Sequence, residues 1–106
     1  MPLYEKRTYQ VAVGQMPEVL KLETEIWNVL QVEGFSQHLV GYFTSDTGPL
    51  HQLIHIWRFE DDNARRDFWK RIFASEAFMA VAVQVRPLLT SQEVQLMVNA
   101  PFGPTP

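Results

Sequence analysis

The sequence lacks the residues that several common kinds of protein site require. It contains no cysteine, which excludes disulfides, thiolate nucleophiles and zinc sites built from cysteine. Its five glycines are scattered, so no glycine-rich loop can hold a phosphate group, and no Gly-x-Ser-x-Gly motif presents a serine nucleophile. No apolar run approaches the ~20 residues of a membrane-spanning helix, and no signal peptide is visible.

Positive charge is also scarce in this chain. Nine Lys and Arg residues stand against twelve Asp and Glu residues, and the formal net charge is -3. A protein without a basic field does not attract phosphate backbones, so we expect no nucleic-acid partner. Together with the lack of cysteine and of an apolar span, the charge leads us to expect a cytoplasmic protein that binds no membrane.

Hydrophobic residues, by contrast, are plentiful. They make up 46 % of the 106 residues and include three Trp and seven Phe. That apolar area is enough for one packed domain. We predict a single domain over residues 1–98 and an extended tail over residues 99–106, which holds three of the seven prolines.

Alternation and helical spacing predict four strands and three helical segments. Pro17 suits the first turn of a helix that ends at Gly34, Asp61 or Asp62 caps a second helix, and Ser75 caps a short third one. The resulting βαββαβ order, with short connections and right-handed crossovers, predicts a ferredoxin-like α+β sandwich with all helices on one face of an antiparallel sheet. The expected strands cover residues 3–11, 38–46, 52–60 and 90–98.

Two groups of charged residues lie on the predicted helices. By helical angle, Glu23 falls inside the apolar stripe that contains Val19 and Ile26. Glu23 either reaches the rim of that stripe or points into a polar pocket, and we expect the rim. The basic residues of the second helix are expected to form a solvated face, and they are Arg65, Arg66, Lys70 and Arg71.

The third predicted strand is apolar on both of its faces. Ile54 and Ile56 alternate on one face, and Trp57 and Phe59 on the other. A strand of a small protein normally turns one face to water, and the few helices can cover only one side of the sheet. We expect the face with Trp57 and Phe59 to be bare in one chain and covered by a second copy, so that a C2 homodimer encloses a cavity between two sheets. The alternative is a monomer whose C-terminal tail folds over the sheet.

Strand alternation also assigns the side chains that line this cavity. A pocket that is mostly apolar, with a few convergent polar groups, suits a small-molecule ligand. Arg7 would bind a carboxylate and His55 would donate or accept a proton, so these two residues are the candidate catalytic groups. The expected ligand-binding residues are Glu5, Arg7, Tyr9, Tyr42, His55, Trp57 and, from the fourth strand, Glu93 or Gln92.

Structural roles are open to the same residues. Arg7 with Glu5 or Glu93 would also serve as an interfacial salt bridge that sets the dimer register. His55 would also serve as a hydrogen-bonded core histidine. His51 and His55 look like a pair of metal ligands, but four residues along a strand separate them by ~13 Å, too far for one ion. We therefore expect no metal ion and no cofactor.

Several segments resemble one known family. Tyr4-Glu-Lys-Arg-Thr-Tyr9 resembles the first-strand motif of NIPSNAP-domain proteins, in which Tyr-Glu-Leu-Arg-Thr-Tyr is usual, with Lys6 in place of Leu. The resemblance implies a dimeric α/β barrel and leaves the biochemical activity open. The later segments that are similar to this family are residues 39–44, 48–50, 55–61 and 86–93.

Two classes of function follow from these observations. The first is a small dimeric protein that binds a small molecule in the barrel cavity. The alternative is a cofactor-independent monooxygenase or isomerase of the dimeric α/β barrel superfamily, which rests on analogy of fold. Heme-degrading members of that superfamily share a cluster of Asn, Trp and His. In this chain Asn28, Asn63 and Asn99 fall outside the expected cavity, which disfavours a heme enzyme.

Overall fold

The computed structural model describes residues 1–106 and contains four strands and three α-helices in the predicted order. Short 3-10 turns precede the second and fourth strands. No helix combines the length and the apolar character needed to cross a membrane. The strands are β1 (Leu3–Val11), β2 (Leu39–Thr44), β3 (Gln52–Phe59) and β4 (Leu89–Val98), and the helices are α1 (Met16–Val32), α2 (Asp62–Phe73) and α3 (Glu76–Val85).

The four strands form one antiparallel sheet in the order β2-β3-β1-β4. This is the ferredoxin-like α+β arrangement, so the predicted fold class is confirmed. β1 is central and pairs along its whole length with β3, which places Glu5 opposite Trp57 and Arg7 opposite His55. Residues that lie opposite each other share a face of the sheet, and these four therefore project toward the same side.

The helix ends follow from local sequence signals. The Asp61 carboxylate accepts a hydrogen bond from the backbone N–H of Ala64 at 2.8 Å, and the Ser75 hydroxyl accepts one from Phe78 at 3.2 Å. Both bonds satisfy free donors in the first helical turn. Just beyond α1, Gly34 adopts φ of 81°, a left-handed conformation that glycine accepts without strain.

The main core lies between the helices and one face of the sheet, which we call the inner face. Trp57 and Phe59 are each only 1 % exposed there, and Phe68 of α2 packs on them with ring centres 5.2 and 5.1 Å away. The prediction that Trp57 and Phe59 form the bare face is therefore wrong. Both faces of β3 are apolar, so alternation identifies two faces without telling which one the helices cover.

The opposite side of the sheet, the outer face, has no helix over it. It carries Ile54 and Ile56, both partly buried, and Phe43, which is 53 % exposed. Near one end of this face the Tyr4 hydroxyl donates a hydrogen bond to the Pro106 carbonyl at 2.7 Å, so residues of the tail return to the sheet. The apolar surface left uncovered in a single chain is thus the Ile54 side of β3.

Candidate functional site

A cavity of about 100 Å³ lies between the inner face and the helices of a single chain. Most of the residues predicted to line a cavity between two copies line this cavity of a single chain instead. Most of its wall is hydrophobic, with contributions from every helix and strand. Its polar lining consists of Arg7, Tyr9, Glu23, Tyr42, His55, Arg86 and Gln92.

Arg7 belongs to a buried ionic cluster at one side of the cavity. The carboxylate of Glu5, 0 % exposed, accepts hydrogen bonds from Arg7 Nε at 2.6 Å and from Arg65 Nη1 at 2.8 Å. The Arg7 guanidinium also lies 3.9 Å from the centre of the Trp69 ring, a cation–π contact. Burial acts to lower the pKa of Arg7, but the hydrogen bonds and charges of Glu5 and Tyr9 together outweigh it, and the pKa is raised. Arg7 therefore stays positively charged and fixed in place, and its two terminal nitrogens are additional hydrogen-bond donors.

His55 is fixed in one tautomer by its neighbour along β3. Trp57 Nε1 donates a hydrogen bond to His55 Nδ1 at 2.6 Å. An indole nitrogen can only donate, so Nδ1 carries no proton, and the neutral ring carries its proton on Nε2. Burial, reinforced by the charge of Arg7, lowers the pKa of His55 to about 3. His55 therefore presents a neutral Nε2–H group at physiological pH.

Two donor groups at the cavity have no partner within the protein. His55 Nε2 and Trp69 Nε1 are both buried and make no hydrogen bond. Leaving a buried donor unpaired costs about 1–3 kcal/mol, so such groups are rare in folded proteins. Together with the terminal nitrogens of Arg7, they make one part of the cavity rich in donors.

The opposite wall contributes an acidic group. Glu23 of α1 points inward, and its Oε2 accepts a hydrogen bond from the Tyr42 hydroxyl at 3.1 Å. The Tyr42 ring in turn stacks on His55 with ring centres 4.8 Å apart. Burial raises the pKa of Glu23 to about 7, although the bond from Tyr42 acts in the opposite direction. Glu23 therefore occupies the polar pocket that was the alternative, while it stays partly exposed where this pocket meets the surface.

A second, open groove runs along the outside of Glu23. It measures about 690 Å³, lies between α1 and the edge strand β2, and is mostly hydrophobic. Leu20, Trp27 and Phe43 contribute partly exposed walls. Glu23 and Tyr42 line both the groove and the cavity, so this hydrogen-bonded pair lies at their boundary.

Comparison with known proteins assigns the chain to a family. A model of the NIPSNAP family matches residues 4–104. The chain belongs to the NIPSNAP family. The match confirms the resemblance seen in the first-strand motif and in the later segments.

Curated relatives agree with this assignment. The chain is 29 % identical over 105 residues to Protein NipSnap homolog 2 of Danio rerio, and 24 % identical over 103 residues to that of Mus musculus. Each match covers 96 % of this chain and 35 % of the relative. The chain therefore spans about a third of the length of the curated relatives it matches.

Solved structures support the same conclusion. A NIPSNAP family protein from Agrobacterium tumefaciens str. C58 is 31 % identical, with a TM-score of 0.87 over 97 % of this chain and 92 % of that one. A NIPSNAP domain protein from Burkholderia xenovorans is 30 % identical, with a TM-score of 0.80 over 97 % and 99 %. An antibiotic biosynthesis monooxygenase shares the fold, with a TM-score of 0.66 over 93 % and 99 % at 17 % identity.

Within this NIPSNAP fold, most of the predicted site residues come together. Glu5 lies behind Arg7 as its counter-ion instead of at the cavity surface, and Glu93 lies elsewhere. Glu93 pairs with Thr8 and therefore projects to the outer face, whereas Gln92 pairs with Tyr9 and lines the cavity. The predicted residues that do line the cavity are Arg7, Tyr9, Tyr42, His55 and Trp57.

The structure also bears on the purely structural roles that were open to Arg7 and His55. The ion pair of Arg7 and Glu5 forms within one chain beneath the helices, and Glu93 projects from the other face of the sheet, away from Arg7. His55 is hydrogen-bonded along its own strand and keeps one nitrogen free. No cluster of three or more metal-ligating side chains is present.

Sequence reasoning missed two residues that belong to this site. Arg65 was expected on a solvated helix face, but it is mostly buried against Glu5 and also bonds Asp62 at 2.9 Å. Trp69 belongs to the hydrophobic core and also lines the cavity, and its buried Nε1 has no hydrogen-bond partner. The spacing of Asp62 and Arg65 along α2 is a local signal of their own salt bridge, but not of the contact between Arg65 and Glu5. Nothing local distinguishes Trp69 from an ordinary core aromatic.

Proposed function

We propose that this protein is a homodimer that binds a small molecule bearing a carboxylate or carbonyl group in the inner cavity. The observation that carries the proposal is the pair of buried, unpartnered N–H groups of His55 and Trp69 beside Arg7. A ligand oxygen would satisfy donors that otherwise remain unpaired.

The chemistry of the cavity narrows the class of ligand. Its free polar groups are mainly donors, and Arg7 shares its counter-ion Glu5 with Arg65, which favours an anionic or acceptor-rich ligand. The remaining wall is apolar. At about 100 Å³ the space suits a molecule much smaller than typical drug-sized ligands.

Binding is tested with 3,3-dimethyl-2-oxobutyrate, a small 2-oxo acid, observed through the three tryptophan indole N–H signals by NMR. We expect the Trp69 signal to move downfield as its N–H gains an acceptor. Trp27, which lies on the outer side of α1, is an internal control and is expected to stay unchanged. An unmoved Trp69 signal at millimolar concentrations of the oxo acid would contradict the proposed site.

The role of Arg7 is tested by Arg7→Ala. Because Glu5 keeps its bond to Arg65, we expect this variant to lose more affinity for the oxo acid than stability. Arg58→Ala is the matched control, since Arg58 lies on β3 but is paired with exposed Glu60. Loss of stability without any change in affinity would instead assign Arg7 a structural role.

The homodimer is supported by the apolar surface that one chain leaves uncovered. This surface includes Ile54, Ile56 and Phe43 on the outer face. A second, separate region lies on the inner face of β4, where Val94, Leu96 and Val98 are exposed. Patches of this kind usually mark an interface, and a C2 pair is the commonest way to cover them.

The dimer is tested by Ile56→Lys, with the exposed helix substitution Val83→Lys as its control. We expect Ile56→Lys to weaken dimerisation about tenfold or more, because it buries a charge at the proposed interface. Light scattering measures the mass of each variant across dilution. A single-chain mass for the wild-type protein at micromolar concentration would rule out the dimer.

A cofactor-independent monooxygenase or isomerase is the second candidate function. Likeness to a monooxygenase in fold carries no chemistry to this chain. The specific observation in favour of catalysis is the Glu23 carboxyl, which faces the same cavity as the N–H donors. Proton transfer is the reaction that such a carboxyl performs without help from a cofactor.

A further inference from the structure

We propose that Glu23 is a catalytic base that removes a proton from the carbon next to the ligand's carbonyl group, while the N–H groups of His55 and Trp69 stabilise the resulting enolate. This inference rests on the proposed ligand site and extends it from binding to catalysis. It assigns the cavity to small 2-oxo acids that carry a proton on C3.

The geometry places acid–base chemistry and anion stabilisation on different walls of one small space. Glu23 enters from α1, and Tyr42 holds its Oε2, which leaves Oε1 without a protein partner. Across the stacked ring of Tyr42 lies His55, whose Nε2–H is unpaired. A ligand bound among the donors therefore shares one cavity with the Glu23 carboxyl group, which the proposal assigns to C3.

The N–H groups of His55 and Trp69 are suited to stabilise a negatively charged oxygen because the fold fixes their positions before a ligand binds. The bond from Trp57 fixes the His55 tautomer, and the guanidinium of Arg7 packs on the ring of Trp69. Preorganised N–H groups in a site without bulk water stabilise a developing oxyanion strongly. The substrate carboxylate binds Arg7, which leaves the ketone oxygen for His55 and Trp69.

The proposed step conserves atoms and electrons without an oxidant, a metal ion or a cofactor. The C3–H bond of the oxo acid breaks, and its proton passes to the Glu23 carboxylate. The electron pair of that bond forms a C2–C3 double bond, and the ketone π electrons move to the oxygen. Return of the proton from Glu23 to C3 restores the oxo acid, and exchange of that proton with solvent makes the cycle visible.

The surroundings of Glu23 favour a base that works near neutral pH. A general base is most effective when its pKa lies close to the working pH, and burial brings Glu23 to about 7. Tyr42 holds one oxygen, His55 is neutral, and Arg7 is tied to Glu5. The titratable and charged groups around the cavity are Arg7 and Tyr9 from β1, Tyr42 from β2, His55 from β3 and Arg86 from the turn before β4.

The test follows hydrogen–deuterium exchange at C3 of pyruvate, 2-oxobutyrate and phenylpyruvate by proton NMR in D2O. We expect wild-type protein to accelerate exchange of at least one of them over a buffer blank. Glu23→Gln keeps an acceptor for Tyr42 but cannot take a proton, so we expect it to lower the rate about 100-fold or more. Glu25→Gln, an exposed position on the same helix, is the control and is expected to match wild type.

The pH profile provides a second readout. The exchange rate of the wild-type protein is expected to rise as Glu23 ionises, with a midpoint near pH 7. Tyr42→Phe removes a bond that lowers the pKa of Glu23, so its midpoint is expected at higher pH. A midpoint that does not move would argue against Glu23 as the titrating base.

The binding probe separates this inference from the proposed function. The oxo acid 3,3-dimethyl-2-oxobutyrate has no proton on C3, so it reports binding alone. Binding of this probe without exchange of any of the three oxo acids would overturn the catalytic role of Glu23 and leave the site intact. Equal exchange by wild type and Glu23→Gln would also overturn that role. Absence of both binding and exchange would overturn both proposals.

Discussion

The two carboxyl groups held beneath the helices, Glu5 and Glu23, sit in opposite electrostatic surroundings. Glu5 accepts hydrogen bonds from two arginines and is completely enclosed. Glu23 has only the neutral hydroxyl of Tyr42, and burial raises its pKa to about 7. A carboxylate paired with cations organises the structure around it, whereas one that lacks a cation is left free to exchange protons.

The largest expected effect is the loss of stability in Glu5→Gln. This substitution leaves the largely buried guanidinium groups of Arg7 and Arg65 without their shared anion. Breaking a buried ion pair costs about 3–5 kcal/mol, and the partial exposure of the two arginines suggests the lower end. Urea unfolding measures the change.

The control for this substitution is Glu60→Gln, which breaks the exposed pair with Arg58 and is expected to cost about 0–1 kcal/mol. If Glu5→Gln and Glu60→Gln cost the same, the contrast between the two buried carboxyls would fail. Glu5 would then be no more structural than a surface acid.

The second effect concerns the pH dependence of stability in Glu23→Gln. The folded pKa of Glu23 is raised from 4.5 to about 7, so its contribution to stability is full below pH 4.5 and is lost as pH rises through 7. The glutamine variant lacks this loss. Its free energy of unfolding, taken relative to that of the wild type, is expected to increase by about 3 kcal/mol between pH 4 and pH 8. Urea unfolding at both pH values tests this, and a constant difference would contradict it.

The pH dependence that His55 gives to stability is opposite to that of Glu23, so the two contributions must be separated. Its folded pKa is lowered from 6.5 to about 3, so its contribution is present above pH 6.5 and is lost as pH falls through 3. Because Glu23→Gln keeps His55, the difference between variant and wild type isolates the carboxyl. The wild-type curve alone mixes the two.

The smallest expected effect is the shift of the Glu23 pKa in Tyr42→Phe. The lost hydrogen bond stabilised the charged carboxylate, so the pKa is expected to rise. Carbon-13 NMR of the Glu23 carboxyl carbon measures the titration directly. A pKa that falls in Tyr42→Phe would mean that Tyr42 does not hold this oxygen in solution.

Much of the fold was predictable because its signals are local. Asp61 and Ser75 cap helices at the expected positions, and Gly34 follows α1 as expected. Alternation along β1 and β3 correctly grouped Arg7, Tyr9 and His55 on one face. Each of these inferences depends on residues within a few positions of one another.

The errors arose where a local pattern permits two answers. β4 carries Gln92 and Glu93 side by side, and only the hydrogen-bond register with β1 decides that Gln92 faces the cavity. Helical angle placed Glu23 toward the core, but its role depends on the hydroxyl of Tyr42, which comes from another element.

The sequence by itself determined the strands, the helices, their order and the family, since these follow from spacing, capping residues and segment motifs. Only the tertiary structure decided which apolar face of β3 the helices cover, that the cavity lies within one chain, and which buried acid meets a cation. Those outcomes depend on contacts between residues far apart in the chain, such as Glu5 with Arg65, and no local pattern encodes such distances.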